Sequence, residues 1–256
     1  MNFKSFVSIV ALGVLANAAP HKRQSPAVIT TCTTPNTVAL TFDDGPYNFS
    51  AEIIQTLNAA GAKGTFFYNG NNYGCIYDEA NVERIQNAFA SGHQVASHTW
   101  SHPHLPQLSL DQVQFEMTST HEALIKITGA APAFMRPHLT PDRIAYGEYN
   151  DNVLSVAASL KETVVTWDFD SEDSLGAAPD VQESRYGQLI GQKPGTILSL
   201  EHEPLQTTAE QVLPFLISKL QAAGYQLVTV AECLGAQPYL STGTPGVRDA
   251  TWTCGA

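Results

Sequence analysis

Two short segments of the chain combine carboxylates with imidazoles. Asp43 and Asp44 are adjacent in the string TFDDGP, and His98 and His102 lie four residues apart in HTWSHP. Two imidazoles and one carboxylate are three protein ligands that suit a catalytic zinc-type ion, which keeps a fourth position open for water or substrate. The second carboxylate is then free to act as a base. Together the segments predict the centre of a mononuclear metal hydrolase.

Each segment by itself has a plainer interpretation. An Asp-Asp-Gly-Pro string is typical of a solvated turn, and single histidines are common on surfaces. Adjacent carboxylates repel each other unless a cation compensates them. His98 and His102 can reach one ion if their segment is a helical turn. Taken with Asp44 they favour ligation, whereas we interpret three further histidines as ordinary surface residues: His93, His104 and His121.

The elements that must position these residues alternate along the chain between short β-rich runs and helical patterns. Regular alternation implies parallel strands joined by right-handed crossovers. The predicted fold is therefore α/β, a distorted or incomplete parallel β/α barrel with about seven strands. The predicted strands are Val38–Phe42, Gly64–Tyr68, Gln94–Ser97, Ala133–Met135, Val164–Phe169, Thr196–Leu200 and Gln226–Val230.

Two predicted helices have recognisable starts. Capping boxes are predicted at residues 109–112 and 207–210, and the second precedes an apolar helical run that Gly224 ends.

The polar residues of interest fall at the carboxyl ends of the predicted strands. That is the face where barrel enzymes assemble their active sites from separate loops. The residues are Asp43, Asp44, His98, His102, Arg136, Asp170, Asp173 and His202.

Three strings carry a family resemblance. TFDDGP (41–46), HTWSHPHL (98–105) and LEH (200–202) resemble the first, second and fifth motifs of the NodB-like polysaccharide deacetylases, in the family's order. The resemblance spans about residues 37–233 and is greatest to the secreted fungal chitin deacetylases. It implies hydrolysis of N-acetyl groups from chitin or chito-oligosaccharides, leaving chitosan and acetate.

The resemblance also implies a role for each site residue. Asp44, His98 and His102 would hold one divalent ion, zinc or alternatively cobalt. Asp43 would take a proton from the attacking water, and His202 would protonate the leaving amine. Arg136 would pair with the base, and Asp173 would orient His202. The substrate-binding residues would be Trp100, His138, Leu139 and Leu200.

The third and fourth motifs depart from the family pattern. After Arg136 the usual Pro-Tyr is missing, and His138 or Leu139 stands at the tyrosine position. Ser174 follows Asp173 where the family usually has tryptophan. From the residues alone, Asp170 and Asp173 could instead cap the next helix.

Other functions share this chemistry or these motifs. The substrate could be peptidoglycan N-acetylglucosamine or acetylated xylan, because amide and ester acetyls pass through similar intermediates. The altered motifs also allow a carbohydrate-binding protein with a degenerate site.

The first residues of the chain indicate export. Residues 1–19 read as a signal peptide and 24–256 as a single domain. Residues 20–23 read as a short pro-segment that ends at a dibasic site, or alternatively as a solvated charge pair. We expect a secreted monomer of the extracellular space or cell wall, without a membrane span. The net charge of −11 disfavours nucleic acid as a partner.

The cysteines and one sequon fit the same compartment. Four cysteines allow three pairings, and we favour Cys32–Cys233 with Cys75–Cys254 because the first and last strands would be neighbours in a closing sheet. Asn48 begins the sequon Asn-Phe-Ser, a predicted glycosylation site.

Overall fold

The computed structural model of the chain describes residues 28–138 and 149–255. The predicted signal peptide, the pro-segment and Leu139 lie outside these residues. The strands are β1 (Val28–Ile29), β2 (Thr37–Gly45), β3 (Gly64–Tyr68), β4 (Gln94–Ser97), β5 (Ala130–Pro132), β6 (Phe134–Met135), β7 (Thr163–Val165), β8 (Phe169–Asp170), β9 (Thr196–His202), β10 (Gln226–Leu227) and β11 (Tyr239–Thr242). The α-helices are α1 (Ser50–Ala59), α2 (Glu79–Ala90), α3 (Leu110–Thr128), α4 (Asp151–Leu160), α5 (Pro179–Gly191), α6 (Leu213–Ala222) and α7 (Val230–Leu234).

One parallel sheet organises the described part of the chain. Its strand order is β1-β7-β6-β4-β3-β2-β9-β8, and β10 pairs with the start of β2. Helices α5, α6, α1, α2, α3 and α4 pack side by side in that order against it. The sheet confirms the predicted incomplete β/α barrel, although it has nine strands rather than about seven. Strands β5 and β11 form a separate antiparallel pair.

The extra strands arise at the open edges of the barrel. β1 was not predicted, and the predicted strand Val164–Phe169 divides into β7 and β8. β7 lies between β6 and the edge strand β1, whereas β8 pairs with β9 and forms the opposite edge of the sheet. The predicted run is thus one continuous segment of the chain that crosses the gap in the barrel. Apolarity reports that a segment is buried, but not which strand it pairs with.

Helix starts follow their capping chemistry, in one case against prediction. Ser109 caps α3 through the predicted capping box with Gln112. Thr207 makes no capping hydrogen bond, so the capping box predicted there is wrong. Thr229 and Glu232 instead form a capping box at the start of α7. The predicted strand Gln226–Val230 consequently ends at Leu227.

Both predicted disulfides, Cys32–Cys233 and Cys75–Cys254, are present. The first joins the segment before β2 to α7, so the pairing follows from the closing sheet as expected. The second joins the loop after β3 to the end of the chain.

Within the described ranges, no helix combines the length and apolarity needed to cross a membrane.

Candidate functional site

The two adjacent carboxylates lie at the carboxyl end of β2, the longest strand. β2 is buried along all nine residues and pairs with β3 and β9. Neighbouring side chains of a regular strand point to opposite faces. Here the register shifts between Asp43 and Gly45, and Asp44 has a left-handed backbone with φ of 70°. Both carboxylates therefore reach the same imidazole: Asp43 Oδ2 and Asp44 Oδ1 lie 3.6 and 3.5 Å from His98 Nε2.

The two histidines of the predicted ligand set lie in the loop after β4. This loop is not helical, so a helical turn is not what brings the two imidazoles together. Positive φ values at Thr99 (69°) and His102 (61°) turn the chain instead. His102 Nε2 comes within 3.0 Å of Asp44 Oδ1. Asp44, His98 and His102 offer three ligand atoms within 4.8 Å of one another.

These donor atoms fit a divalent ion. His98 Nδ1 lies 2.7 Å from the carbonyl oxygen of Arg136, which fixes a proton on Nδ1, so the neutral ring has its lone pair on Nε2. That lone pair faces Asp44 Oδ1, a buried oxygen that accepts no hydrogen bond of normal geometry from the described residues. Two facing lone pairs repel unless a proton or a cation lies between them. Carboxylate and imidazole donors are a set that zinc accepts.

The surrounding charges support this interpretation. Burial opposes ionisation of Asp44, but the two histidines outweigh it and hold the pKa of Asp44 below its ordinary value. Burial likewise disfavours the imidazolium of His98, but Asp43 and Asp44 raise its pKa overall. Both shifts show that negative charge at this point attracts a positive partner.

Arg136 follows β6 and is fully buried beside Asp43. Its Nη1 donates to Asp43 Oδ1 at 2.8 Å and to Thr41 Oγ1 at 2.6 Å. Nη2 donates to the carbonyl oxygen of Thr166 at 2.8 Å, and the guanidinium lies over the Phe67 ring at 4.2 Å. One oxygen of Asp43 is thus committed to Arg136. The other, Oδ2, faces the predicted ligands.

His202 ends β9, directly opposite Asp43 in the register with β2. Its Nδ1 lies 2.7 Å from Asp173 Oδ1, and its backbone N–H donates to Asp173 Oδ2 at 2.7 Å. Thr208 Oγ1 donates to the same Oδ2 at 2.8 Å, and the Ser174 N–H donates to Oδ1 at 2.7 Å. Asp173 thus accepts four hydrogen bonds, which together fix both carboxylate oxygens.

This pairing sets the protonation state of His202. Burial disfavours the imidazolium, but the Asp173 carboxylate outweighs burial and raises the pKa of His202 to about 10. The pKa of Asp173 is lowered, because His202 and the hydrogen-bond donors overcome its burial. At neutral pH the pair is an imidazolium and a carboxylate. The next helical element is a 3-10 turn over Asp173–Leu175 whose N-cap is Glu172, without a side-chain capping hydrogen bond, and α5 has Ala178 as its N-cap. The alternative that Asp170 and Asp173 cap the next helix is therefore wrong.

Two of the predicted substrate-binding residues, His138 and Trp100, differ in what they pack against. The half-buried His138 ring lies 3.8 Å from the His102 ring, centroid to centroid, and 5.1 Å from that of His104. Trp100 is only 9% exposed, and a Cβ added at Gly70 would come within 1.9 Å of its indole. Packing on the backbone of Gly70 favours a structural role for Trp100 over the substrate contact we expected.

The predicted substrate-binding residue Leu200 and the altered position Ser174 differ in exposure. Leu200 is buried in β9 between Thr41 and Asp170. Ser174 is exposed, and so is the neighbouring Leu175. Where the family usually has a tryptophan, this chain thus presents an exposed serine, followed by the exposed Leu175.

The interpretation of His93 and His121 as surface residues is wrong. His93 is 2% exposed, and its Nδ1 accepts a hydrogen bond from the Gly64 N–H. His121 is buried on α3, and its Nδ1 lies 2.9 Å from Glu162 Oε1. Both belong to the packing of helices against the sheet. The sequence carried no signal that separated them from exposed histidines.

Four residues that contact the site were missed: Thr41, Asn69, Glu203 and Thr208. Thr41 lies two positions before Asp43, so strand alternation could have placed it on the same face. Asn69 and Glu203 directly follow β3 and β9, where the rule of carboxyl strand ends applies to them as well. Thr208 was assigned to a cap, and only the folded chain brings it to Asp173.

Comparisons with known proteins agree with this geometry. Residues 30–165 match the family profile described as "Polysaccharide deacetylase". The chain is 36% identical over 231 residues to a chitin deacetylase of a Pestalotiopsis species, covering 86% of this chain and 72% of the relative. It is 37% identical over 210 residues to a probable peptidoglycan-N-acetylglucosamine deacetylase of Arthroderma benhamiae, covering 81% of this chain but 46% of the relative. The solved chitin deacetylase of Colletotrichum lindemuthianum superposes with a TM-score of 0.75 at 31% identity, covering 83% of this chain and 93% of that one.

Proposed function

Because the chain belongs to the polysaccharide deacetylase family and is therefore a deacetylase, we propose that it removes N-acetyl groups from chitin or chito-oligosaccharides in a metal-dependent reaction. The products are chitosan and acetate. One observation carries the proposal: a prospective base, Asp43, and a protonated imidazole, His202, occupy paired positions on neighbouring strands beside three convergent ligand atoms. Amide hydrolysis needs a base for the water and an acid for the amine.

Asp44, His98 and His102 are the proposed ligands of the ion, for which zinc is the preferred choice and cobalt an alternative. When bound, the ion supplies Lewis acidity and lowers the pKa of water toward ~7. The protein's part is to present one carboxylate and two imidazoles with their lone pairs already directed inward. The His98 bond to the Arg136 carbonyl holds the required tautomer.

Asp43 is the proposed general base. Arg136 holds its Oδ1, so the carboxylate cannot rotate freely and Oδ2 remains directed at the site. The water oxygen forms a bond to the acetyl carbon while the water proton passes to Asp43. His138 or Leu139 stands at the tyrosine position of the third motif, and the structure describes only His138. The backbone N–H of His138 is proposed to face the developing oxyanion.

His202 is the proposed general acid. It is protonated at neutral pH because of Asp173, so it can give its proton to the departing nitrogen as the C–N bond breaks. Leu200 and His138 are proposed to line the space around the acetyl group. Leu139 is also proposed to contact the substrate, although it lies outside the described part of the chain.

Acetate release from defined chito-oligosaccharides by metal-replete protein tests this function. We expect release from chitin oligomers, and mapping the products would show which sugars are deacetylated. Binding of chitin oligomers without acetate release, in protein shown to contain metal, would instead support the carbohydrate-binding alternative.

A second substrate is favoured by one comparison. The probable peptidoglycan-N-acetylglucosamine deacetylase is as similar in sequence as the chitin deacetylases. The same residues would act on either acetamide, so the assay should run peptidoglycan, acetylated xylan and chitin in parallel. A rate on peptidoglycan that exceeds the rate on chitin would reassign the substrate.

We also propose that the protein is secreted as a monomer after removal of residues 1–19 and, through a dibasic site, of 20–23. The two disulfides support an oxidising compartment. Asn48 is exposed and is proposed to be glycosylated, with its side-chain Oδ1 accepting a hydrogen bond from Arg84 in the unmodified chain. Mass spectrometry of the exported protein would give the mature N-terminus and any glycan.

A further inference from the structure

Both segments that carry the proposed ligands run through left-handed backbone. Asp44 has φ of 70°, Thr99 of 69° and His102 of 61°. Residues other than glycine rarely adopt these values, because this backbone conformation is strained for a residue with a side chain. They persist only where the surrounding structure holds them. The contacts that do so here are made by two buried polar side chains outside the proposed chemistry.

Glu203 holds the segment of Asp44. Its backbone N–H donates to the Asp43 carbonyl oxygen at 2.9 Å. Its Oε1 accepts hydrogen bonds from the Tyr47 N–H at 2.6 Å and from Ser50 Oγ. The carboxylate lies against Gly45, where an added Cβ would come within 2.5 Å of it. Glu203 is fully buried, and its hydrogen bonds hold the turn after Asp44 in place.

Asn69 holds the segment of the histidines. Its Nδ2 donates to the carbonyl oxygens of His98 and, at 3.2 Å, of Thr99. Its backbone N–H donates to the Gly45 carbonyl oxygen at 2.8 Å. Asn69 is 1% exposed. It therefore links the turn after Asp44 to the loop of His98, so that one residue sets the distance between the ligand segments.

We propose that Asn69 and Glu203 are positioning residues that preorganise the metal ligands. Neither side chain is placed to contact the ion or the substrate. Each acts through backbone groups of the segments that carry Asp44, His98 and His102. The proposal rests on the proposed function in one respect, the assignment of those three residues as ligands. Loss of an outer partner of a metal site typically lowers metal affinity about 10–100-fold.

Zinc affinity of the metal-stripped protein, measured by competition with a chromophoric chelator, tests the proposal without substrate. We expect Asn69→Ala and Glu203→Ala to weaken zinc binding about 10–100-fold. Glu203→Gln keeps the acceptor for Tyr47 and Ser50, so it should stay within about threefold of the wild type. Rescue by the conservative variant would show that the acceptor for Tyr47 and Ser50, rather than the negative charge, is what zinc binding requires.

Glu162→Ala is the matched control. It also removes a buried glutamate with a side-chain partner, His121, but away from the ligands. It should lower the thermal midpoint without changing zinc affinity. If an alanine variant fails to fold, Ser50→Ala removes one donor to Glu203 and should give a smaller loss of affinity.

The outcomes are distinguishable. Folded Asn69→Ala and Glu203→Ala proteins that bind zinc as tightly as the wild type would overturn the proposal. So would an equal loss of affinity in Glu162→Ala. A wild-type protein that binds no zinc would overturn the ligand assignment on which both proposals rest. Wild-type zinc binding without acetate release would count against the proposed function alone.

Discussion

The two halves of the site differ in how completely the protein satisfies its own charges. In the ligand half, Asp43 and Asp44 face one guanidinium, that of Arg136, and two imidazoles. The carboxylates outnumber the fixed cation, and Asp44 Oδ1 lacks a well-formed hydrogen bond within the described residues. In the acid half, one carboxylate, Asp173, meets one imidazolium, His202, and accepts four hydrogen bonds.

This difference separates a half whose charges an added cation would balance from a half whose charges are already paired. Buried charges require partners, because an unpaired one costs several kcal/mol. The ligand half therefore has the charge balance of a cation site. The acid half has that of a fixed ion pair whose protonation is set by the fold. The following predictions test whether the halves are independent in this sense.

Removing the cation should have the largest effect. Dialysis against a chelator should abolish acetate release, and added zinc or cobalt should restore it. His202 should keep its proton in the stripped protein, because Asp173 dominates the positive shift of its pKa. Activity and the histidine signals in NMR spectra measure the two halves separately. Full activity after verified metal removal would contradict the metal dependence.

Asp43→Asn should have the next largest effect. The amide cannot accept the proton of water, and a general base contributes about 10²–10⁴-fold to the rate. We expect kcat to fall by that factor while circular dichroism stays unchanged. Zinc affinity should change less than in Asp44→Asn, because Asp44 is the proposed ligand. Equal losses of zinc affinity in both variants would show that the two carboxylates share one role.

Asp173→Asn should move the pH dependence. His202 acts as an acid only while protonated, and Asp173 raises its pKa from 6.5 to about 10. The variant lowers that pKa, so the alkaline limb of the profile of kcat against pH should shift to lower pH. The same raised pKa means that the His202 imidazolium contributes its full stabilisation below about pH 6.5, for as long as Asp173 stays ionised, and that this contribution is lost as pH rises through about 10. An unchanged alkaline limb would exclude His202 as the acid.

Thr208→Ala should have the smallest effect. It removes one of four hydrogen bonds to Asp173, worth about 1 kcal/mol, and leaves the other three. We expect kcat to fall about fivefold at most, with unchanged zinc affinity. Loss of zinc affinity in this variant would show that the halves are coupled.

Sequence reasoning succeeded where a rule depends on local pattern. Buried runs located the strands, and the rule of carboxyl strand ends brought Asp43, His98, Arg136, Asp173 and His202 to one rim. It failed where pairing partners or loop conformation mattered. The predicted strand Val164–Phe169 divides between two edges of the sheet, and the residues from His98 to His102 are not helical. Hydrogen-bond partners distant in the chain decide both, and apolar periodicity does not report them.

The types and spacing of Asp43, Asp44, His98 and His102 predicted the chemistry of the site, because two imidazoles and one carboxylate form a ligand set that suits a catalytic zinc ion. The closing sheet was likewise enough to pair the four cysteines. Only the tertiary structure decided that Asp43 gives one oxygen to Arg136 and that Thr208 supports Asp173. It also decided that Asn69 and Glu203 hold left-handed backbone in place. Such contacts join residues as distant in the chain as Tyr47 and Glu203, which are 156 positions apart, and their geometry exists only once the barrel has formed.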